Sequence, residues 1–153
     1  MKKSYLRGKP TLVYLCMLFA YSVTLGQTAG NTTIDPQRAR VIVDSLGKQF
    51  SRYYFNGDSL ALYAMYTKDA SLGCLKGNDL RLGIGRMIRN SIQDSSRNIT
   101  YTTTSLSIDA EFIVEVGIYE AKDDKGNLKD KGKYLVVYKQ ENGDWKLYRD
   151  IGL

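Results

Sequence analysis

The residues best suited to chemistry lie side by side near the end of the chain, at Tyr148, Arg149 and Asp150. A carboxylate held in an apolar interior has a raised pKa, so Asp150 is a candidate general base. Tyr148 would be its catalytic partner if the protein is an enzyme. The planar guanidinium of Arg149 could instead hold an anionic ligand.

The register of the strand that carries these residues decides which side chains point inward. Alternation along a strand puts every second side chain on one face. The two alternatives are therefore Trp145, Leu147, Arg149 and Ile151 on one face, or Lys146, Tyr148 and Asp150 on the other. A slip of one residue exchanges the faces, so both alternatives stay open. A third also stays open, in which Arg149 and Asp150 are ordinary charges that meet solvent.

Tyrosine is the other abundant functional side chain, with 12 in the chain. Its apolar ring and polar hydroxyl suit a pocket for a hydrophobic ligand, and they equally suit a sheet surface or a dimer interface. The candidates for ligand binding are Tyr54, Tyr66, Tyr119 and Tyr148, together with Arg149.

Composition excludes several kinds of chemistry. The chain has no histidine, which removes Ser-His-Asp and Cys-His mechanisms and the commonest transition-metal ligand. Of its two cysteines only Cys74 lies outside the leader described below, so neither a Cys-rich zinc site nor an intramolecular disulfide is expected. Cys74 is either a reactive thiol or a small apolar residue at a strand end. The lack of an obvious cationic neighbour favours the second interpretation. We expect no metal and no cofactor.

Residues 1–26 have the order of a secretory signal peptide, with a basic start, an apolar stretch and small residues before a cleavage site after Gly26. The apolar stretch of about 12 residues is well short of the roughly 20 that span a bilayer, so we expect no stable membrane anchor after cleavage. The protein is therefore expected to be exported, as a periplasmic or secreted protein. Residues 27–35 are polar and typical of a flexible lead-in, which leaves residues 36–153 as the folded domain.

The formal net charge of +6 reflects mainly this leader. Four of the 22 basic residues lie in it, which leaves 18 basic against 16 acidic residues and a net charge near +2. Nucleic-acid binding needs a clustered basic face, which this balance does not indicate. We therefore expect no nucleic-acid partner.

The first predicted helix covers residues 36–55. Asp35 can accept hydrogen bonds from free backbone amides, and Pro36 suits the first helical position. The apolar residues that follow recur at helical spacing. Asn56 and Gly57 tolerate a left-handed backbone and so end the helix.

Two further helices are predicted before the sequence pattern changes. Asp58 can cap the second, which is expected from Ser59 to about Tyr66. A short strand or turn over 69–74 precedes the third helix. An Asn or Asp in the break at 77–79 can cap this helix, which ends near Asp94.

Beyond Asn98 the hydrophobic period becomes two, as in strands. Asn142-Gly143 between two β-type runs is a strong hairpin signal. The predicted strands cover 99–108, 112–119, 134–138 and a last run through Ile151, with a polar loop over 122–132. Helices followed by an antiparallel four-strand meander predict the α+β class.

Two segments carry a resemblance to a known family. Residues 50–70, with an Asn-Gly-Asp break and a Tyr-x-x-Asp-Ala ending, resemble the opening of SnoaL-like proteins in the nuclear transport factor 2-like superfamily. Residues 132–151 resemble their terminal hairpin, and Gly77 also fits their pattern. The resemblance covers about 38–151.

The resemblance implies three N-terminal helices packed on a curved, mainly antiparallel sheet of four to six strands. This is a cystatin-like cone around a largely apolar pocket. It also implies a homodimer formed through the outer face of the sheet. The superfamily includes isomerases, cyclases, dehydratases and non-enzymatic binding domains, so the fold does not choose the function.

Ketosteroid isomerase, a member of this superfamily, uses a carboxylate base and a tyrosine hydroxyl. Alignment on Gly57-Asp58 and Asp69-Ala70 puts its helical tyrosine at Phe50 and its general base at Cys74. Phenylalanine cannot donate a hydrogen bond, and a thiol is a different kind of base. We therefore reject that mechanism for this chain.

Three functions remain, with the first preferred. The first is an exported domain that binds a small apolar or amphipathic molecule in a tyrosine-lined pocket. The second is a lyase, isomerase or cyclase that uses Asp150 as its base. The third is a structural dimerisation domain whose cone is filled by side chains.

Overall fold

The computed structural model describes residues 34–153, so the predictions for the signal peptide and for most of the lead-in lie outside the described residues. The elements are α1 (Pro36–Asn56), α2 (Ser59–Ala64), β1 (Tyr66–Leu72), β2 (Leu75–Lys76), α3 (Gly77–Gln93), β3 (Asn98–Asp109), β4 (Phe112–Lys122), β5 (Leu128–Glu141) and β6 (Asp144–Gly152). None of the helices within 34–153 is long and apolar enough to span a membrane.

Local capping chemistry sets both ends of α1, as predicted. The Asp35 carboxylate accepts hydrogen bonds from the backbone amides of Gln37 and Arg38. At the other end Gly57 adopts a left-handed conformation with φ of 73°, which glycine adopts without steric cost. Asp58 then caps α2 by accepting from the Ala61 amide at 2.9 Å.

The later boundaries differ from the predictions. α2 ends at Ala64, so Tyr66 is the first residue of β1 rather than the end of a helix. α3 begins directly at Gly77, and neither Asn78 nor Asp79 caps it, because Lys76 occupies the cap position without a side-chain hydrogen bond.

The six strands form one sheet in the order β2-β1-β6-β5-β4-β3. All neighbouring pairs are antiparallel except β1 and β6, which run parallel. The hairpin at Asn142-Gly143 is confirmed between β5 and β6. The polar segment predicted as a loop over 122–132 belongs largely to β4 and β5, because Leu128–Gly132 pairs with the end of β4. The predicted class, α+β with helices on a curved and mainly antiparallel sheet, is confirmed.

The core lies between the helices and the inner face of the sheet. The largest fully buried side chains are Val43, Leu62, Leu80, Ile84 and Ile113. α1 lies against β3 and α3 against β1. The helices therefore cover one face of the sheet, and the site described next lies under α1.

Candidate functional site

A small cavity of about 50 Å³ lies between α1 and the inner face of the sheet. Its lining combines apolar side chains with two carboxylates and three tyrosines. The lining residues are Leu46, Gly47, Phe50, Tyr101, Glu115, Tyr134, Val136, Tyr138, Leu147 and Asp150.

A β-bulge in β6 places Asp150 in this cavity. Tyr138 of β5 pairs with Leu147, and the preceding Val137 pairs with Arg149, so Tyr148 is the extra residue. Such an insertion shifts the alternation of side chains by one residue. Leu147 and Asp150, three residues apart, therefore both line the cavity. Neither of the two predicted faces of this strand is correct, because each assumed unbroken alternation.

Tyr66 holds the Asp150 carboxylate from one side. Its hydroxyl donates a hydrogen bond of 2.6 Å to Asp150 Oδ2, and Tyr66 itself is buried. Burial raises the pKa of Asp150 to about 6, the Tyr66 hydrogen bond lowers it, and the charge of Glu115 raises it. Within the described residues no side chain donates to the second oxygen, Oδ1, of Asp150.

Glu115 is the second carboxylate of the cavity, and three hydroxyls surround it. Tyr134 and Thr103 donate to its Oε1 at 2.7 and 2.6 Å. Tyr138 donates to its Oε2 at 2.7 Å. Glu115 is only 3% exposed, and each of its carboxylate oxygens accepts at least one hydrogen bond.

Tyr101 forms an aromatic wall of the cavity. Its ring meets the rings of Phe50 and Tyr134 edge to face, with centroid distances of 5.5 and 5.4 Å. Burial, followed by the nearby charge of Asp150, raises the pKa of Tyr101 well above its usual value. Its hydroxyl is therefore protonated at neutral pH. No hydrogen-bond partner for this hydroxyl is found among residues 34–153.

Gly117 makes room for the tyrosine that contacts Glu115. Gly117 pairs directly with Tyr134 across β4 and β5. A Cβ atom at Gly117 would lie 2.4 Å from the Tyr134 ring and hydroxyl. The tyrosine therefore lies across the backbone of its cross-strand neighbour, and a larger residue at 117 would displace it.

The tyrosines predicted to bind a ligand do not lie together in the structure. Tyr66 lies behind Asp150 and contacts it without lining the cavity. Tyr54 is buried on α1 next to Phe50, with a ring distance of 6.4 Å, but it does not line the cavity. Tyr119 donates to Asp130 at 3.0 Å near the end of the sheet, also away from the cavity.

Tyr148 and Arg149 lie outside the cavity, which corrects their predicted placement. The Arg149 guanidinium carbon lies 3.5 Å from the centre of the Tyr148 ring. Phe112 stacks on the same ring at 5.7 Å, and the Lys139 ammonium lies 5.2 Å from its centre. The bulge turns both residues to the outer face, so neither can join Asp150 in a catalytic pair or bind a ligand in this cavity.

Cys74 and Phe50, the positions aligned with the isomerase residues, also occupy different environments. Cys74 is exposed in the turn between β1 and β2. It is therefore not the packed apolar residue that we preferred, and it does not line the cavity. Phe50 is buried and lines the cavity, where it supplies an apolar surface and no hydrogen bond.

The sequence interpretation missed four of the polar lining residues: Tyr101, Glu115, Tyr134 and Tyr138. A signal for one of them was present. In the run from Phe112 to Ile118 the alternation puts residue 115 on the same face as the buried Ile113. A charged residue in an inward register of an apolar strand indicates a functional or networked group.

The described residues that line the cavity include two carboxylates and no basic side chain. Within residues 34–153 no group of three or more potential metal ligands is close enough to hold a metal ion. The arrangement offers a carboxylate oxygen and a phenol hydroxyl to whatever enters the cavity.

No protein-family model and no curated protein matches the chain. Solved structures do match its fold. A nuclear transport factor 2-like protein of unknown function from Shewanella oneidensis superposes with a TM-score of 0.59 at 16% identity, covering 74% of this chain and 97% of that one. The chain has the nuclear transport factor 2-like fold.

Two further structures with this fold agree. A protein of unknown function with a cystatin-like fold from Nostoc punctiforme gives a TM-score of 0.58 at 15% identity, over 74% of this chain and 88% of that one. A nuclear transport factor 2-like protein from Novosphingobium aromaticivorans gives 0.58 at 12% identity, over 76% and 81%. Because the nuclear transport factor 2-like fold hosts many unrelated activities, function must be argued from the cavity itself.

Proposed function

We propose that this chain is a small-molecule-binding domain, that the cavity under α1 is its binding site, and that Asp150 and Tyr101 contact the ligand. One observation carries the proposal. Asp150 and Tyr101 line the cavity, and Asp150 Oδ1 and the Tyr101 hydroxyl have no hydrogen-bond partner among the described residues. Within residues 34–153 no buried side-chain polar atom lacks a hydrogen-bond partner, so these two atoms are accessible to a water-sized molecule. A cavity whose lining residues carry such accessible polar atoms is suited to a polar ligand.

The volume limits the size of that ligand. A water molecule needs roughly 10–15 Å³ of such volume, so a cavity of about 50 Å³ holds only a few non-hydrogen atoms. The lining is also more polar than the apolar pocket expected from the sequence. A small polar or amphipathic molecule therefore fits the site better than a large hydrophobic one.

The deciding experiment compares binding of a library of small fragments to the wild-type protein and to a variant with a filled cavity. Gly47 lines the cavity, and a Cβ there would meet nothing within 4 Å. Gly47→Leu should therefore fill the space while α1 keeps its conformation. Gly85→Leu in α3 is the matched control, because that glycine is also helical but away from the cavity. Ligand-observed NMR should detect fragments that bind the wild-type and Gly85→Leu proteins but not Gly47→Leu. Equal binding to all three would mean that the fragments bind outside the cavity and would refute the proposal, and so would an absence of binding to the wild-type protein.

A second candidate function is general-base catalysis in the isomerase or lyase class. The observation that favours it is that Asp150, with a pKa of about 6, lies near Tyr101, whose hydroxyl has no hydrogen-bond partner among the described residues. A pKa near the working pH suits a group that accepts a proton. In this proposal Asp150 Oδ1 takes a proton from the substrate, and the Tyr101 hydroxyl donates a hydrogen bond to the oxygen on which negative charge develops. Asp150→Asn should abolish any turnover found by substrate screening, whereas Tyr148→Phe should not change it.

We also propose a homodimer through the outer face of the sheet. That face carries half-buried apolar side chains, namely Phe112, Val114, Val116, Ile118, Leu135 and Val137. Val116→Lys should convert a dimer to a monomer in sedimentation velocity experiments. Val41→Lys, at an exposed position on α1, is the control that should leave the dimer intact. A wild-type monomer would refute this proposal.

Finally, we propose that residues 1–26 direct export. The support is the order of basic, apolar and small residues in the sequence. N-terminal sequencing of protein recovered outside the cytoplasm should begin at Gln27. Retention of the full-length chain in the cytoplasm would refute export.

A further inference from the structure

The hydroxyl groups of the cavity are directed in a way that limits what a ligand can offer them. A phenol has one hydrogen to donate, and its oxygen can also accept. Tyr134 and Tyr138 both donate that hydrogen to Glu115. Their oxygens can therefore only accept from a ligand. Of the three described tyrosines that line the cavity, Tyr101 alone donates to no residue within 34–153.

The charged groups of the lining also limit which ligand the cavity can bind. Glu115 is held by three hydroxyl donors, and Asp150, which also lines the cavity, has one carboxylate oxygen without a hydrogen-bond partner among the described residues. The nearest basic residue in sequence, Arg149, lies against Tyr148 on the outer face and donates to the backbone carbonyl of Asp69. Among the lining residues that the structure describes, no basic side chain compensates the carboxylates. In a site of low dielectric constant, an uncompensated carboxylate attracts a cation strongly.

We propose that the ligand, if this cavity binds one as argued above, is a small primary ammonium ion with its charged end at Asp150. An ammonium group has three donors and no acceptor, which complements a lining rich in acceptors and poor in donors. The rings of Phe50, Tyr101 and Tyr134 also provide aromatic surfaces to which a cation is attracted. The cavity of about 50 Å³ restricts the ligand to a short carbon chain.

The test compares three molecules of four non-hydrogen atoms each that differ in charge: n-propylammonium, n-propanol and acetate. Each is titrated into ¹³C-labelled protein at pH 7 and constant ionic strength, and the Asp150 carboxyl and Tyr101 ring signals are followed by NMR. n-Propylammonium should give saturable shifts with a Kd in the millimolar range, on the order of what four atoms can supply. n-Propanol should bind about tenfold or more weakly, and acetate should give no saturable shift.

Two variants test whether n-propylammonium binds at Asp150. In the variant that lacks Asp150, binding is followed by the NMR signals of Tyr101 and Glu115. Asp150→Asn keeps an acceptor but removes the charge, and it should weaken n-propylammonium binding about tenfold or more. Tyr148→Phe lies on the outer face and should leave the affinity unchanged.

The outcomes separate this inference from the binding function itself. If n-propanol or acetate binds as tightly as n-propylammonium, the ammonium assignment is overturned while the cavity remains a binding site. If none of the three shifts the cavity signals, the ammonium assignment is also overturned. The comparison of wild-type and Gly47→Leu proteins against a broad fragment library then decides independently whether the cavity binds anything.

Discussion

The Tyr66 hydroxyl donates a 2.6 Å hydrogen bond to Asp150 Oδ2, joining the first residue of β1 to the end of β6. The two residues lie 84 positions apart in the chain. This contact depends on the parallel pairing of β1 with β6 and on the bulge at Tyr148. It keeps one carboxylate oxygen fixed on a residue that lines the cavity.

Tyr66→Phe should raise the pKa of Asp150 further, because the lost hydrogen bond stabilises the carboxylate. The pKa of Asp150 is read from its ¹³C carboxyl shift against pH. Tyr148→Phe, a second loss of a phenol hydroxyl close in sequence, should leave that pKa where it is. A pKa that falls or stays constant in Tyr66→Phe would contradict the assigned role of the hydrogen bond.

Glu115→Gln should move the same pKa in the opposite direction. The charge of Glu115 raises the pKa of Asp150, so its removal should lower that pKa. The variant should also be less stable by about 1–3 kcal/mol. A glutamine side chain has only one acceptor oxygen, so it cannot accept hydrogen bonds at both positions where the carboxylate does. Urea unfolding measures the second effect. An unchanged Asp150 pKa in a folded Glu115→Gln protein would show that the two carboxylates do not interact.

Ionisation of Asp150 should lower the free energy of unfolding as the pH rises from about 4 to 6. Its pKa is 3.8 as a free side chain and about 6 in the folded protein. The folded state therefore binds more protons than the unfolded state in this window, and the free energy of unfolding falls with increasing pH. The full effect is about 3 kcal/mol.

Asp150→Asn isolates this effect, because the other titrating groups are common to both proteins and cancel in the difference. The difference in unfolding free energy between Asp150→Asn and wild type should increase in favour of the variant by up to about 3 kcal/mol from pH 4 to pH 7. Urea denaturation at several pH values measures it. A difference that does not change with pH would mean that Asp150 titrates normally. A stabilising substitution at this site would be consistent with a carboxylate kept for function at a cost in stability.

Gly117→Ala should destabilise the domain by about 1–3 kcal/mol, the range typical of overpacked interiors. The added Cβ would lie 2.4 Å from Tyr134 and so displace a donor to Glu115. Gly152→Ala is the control on a strand, since nothing lies within 4 Å of a Cβ there. Thermal unfolding of both variants gives the comparison, and equal effects would show that Tyr134 yields without cost.

Much of the fold could be predicted because it depends on local chemistry. Asp35 and Gly57 delimit α1 through hydrogen bonds and backbone conformations that involve only their near neighbours. The Asn142-Gly143 hairpin is similarly local. The error at Tyr66, placed at a helix end, arose because an aromatic residue fits a helix and a strand, and pairing with Leu147 decides between them.

The site was less predictable because it depends on pairing between distant strands. The bulge at Tyr148 cannot be recognised from the sequence of β6 alone. It is defined by β5, where the adjacent residues Val137 and Tyr138 pair with Arg149 and Leu147. The sequence therefore identified Asp150 as a candidate but paired it with Tyr148 instead of Tyr101. Glu115 could have been found from the alternation of β4, whereas its three hydroxyl donors come from β3 and β5 and need the assembled sheet.

The pKa of Asp150 in the wild-type protein is the most direct test of the placement on which both functional proposals depend. A ¹³C NMR titration of the side-chain carboxyl measures it without any ligand or substrate. The structure predicts a value of about 6, because the carboxylate shares a largely buried cavity with Glu115. A value near 3.9, the usual one for a solvated aspartate, would contradict an inward-facing Asp150.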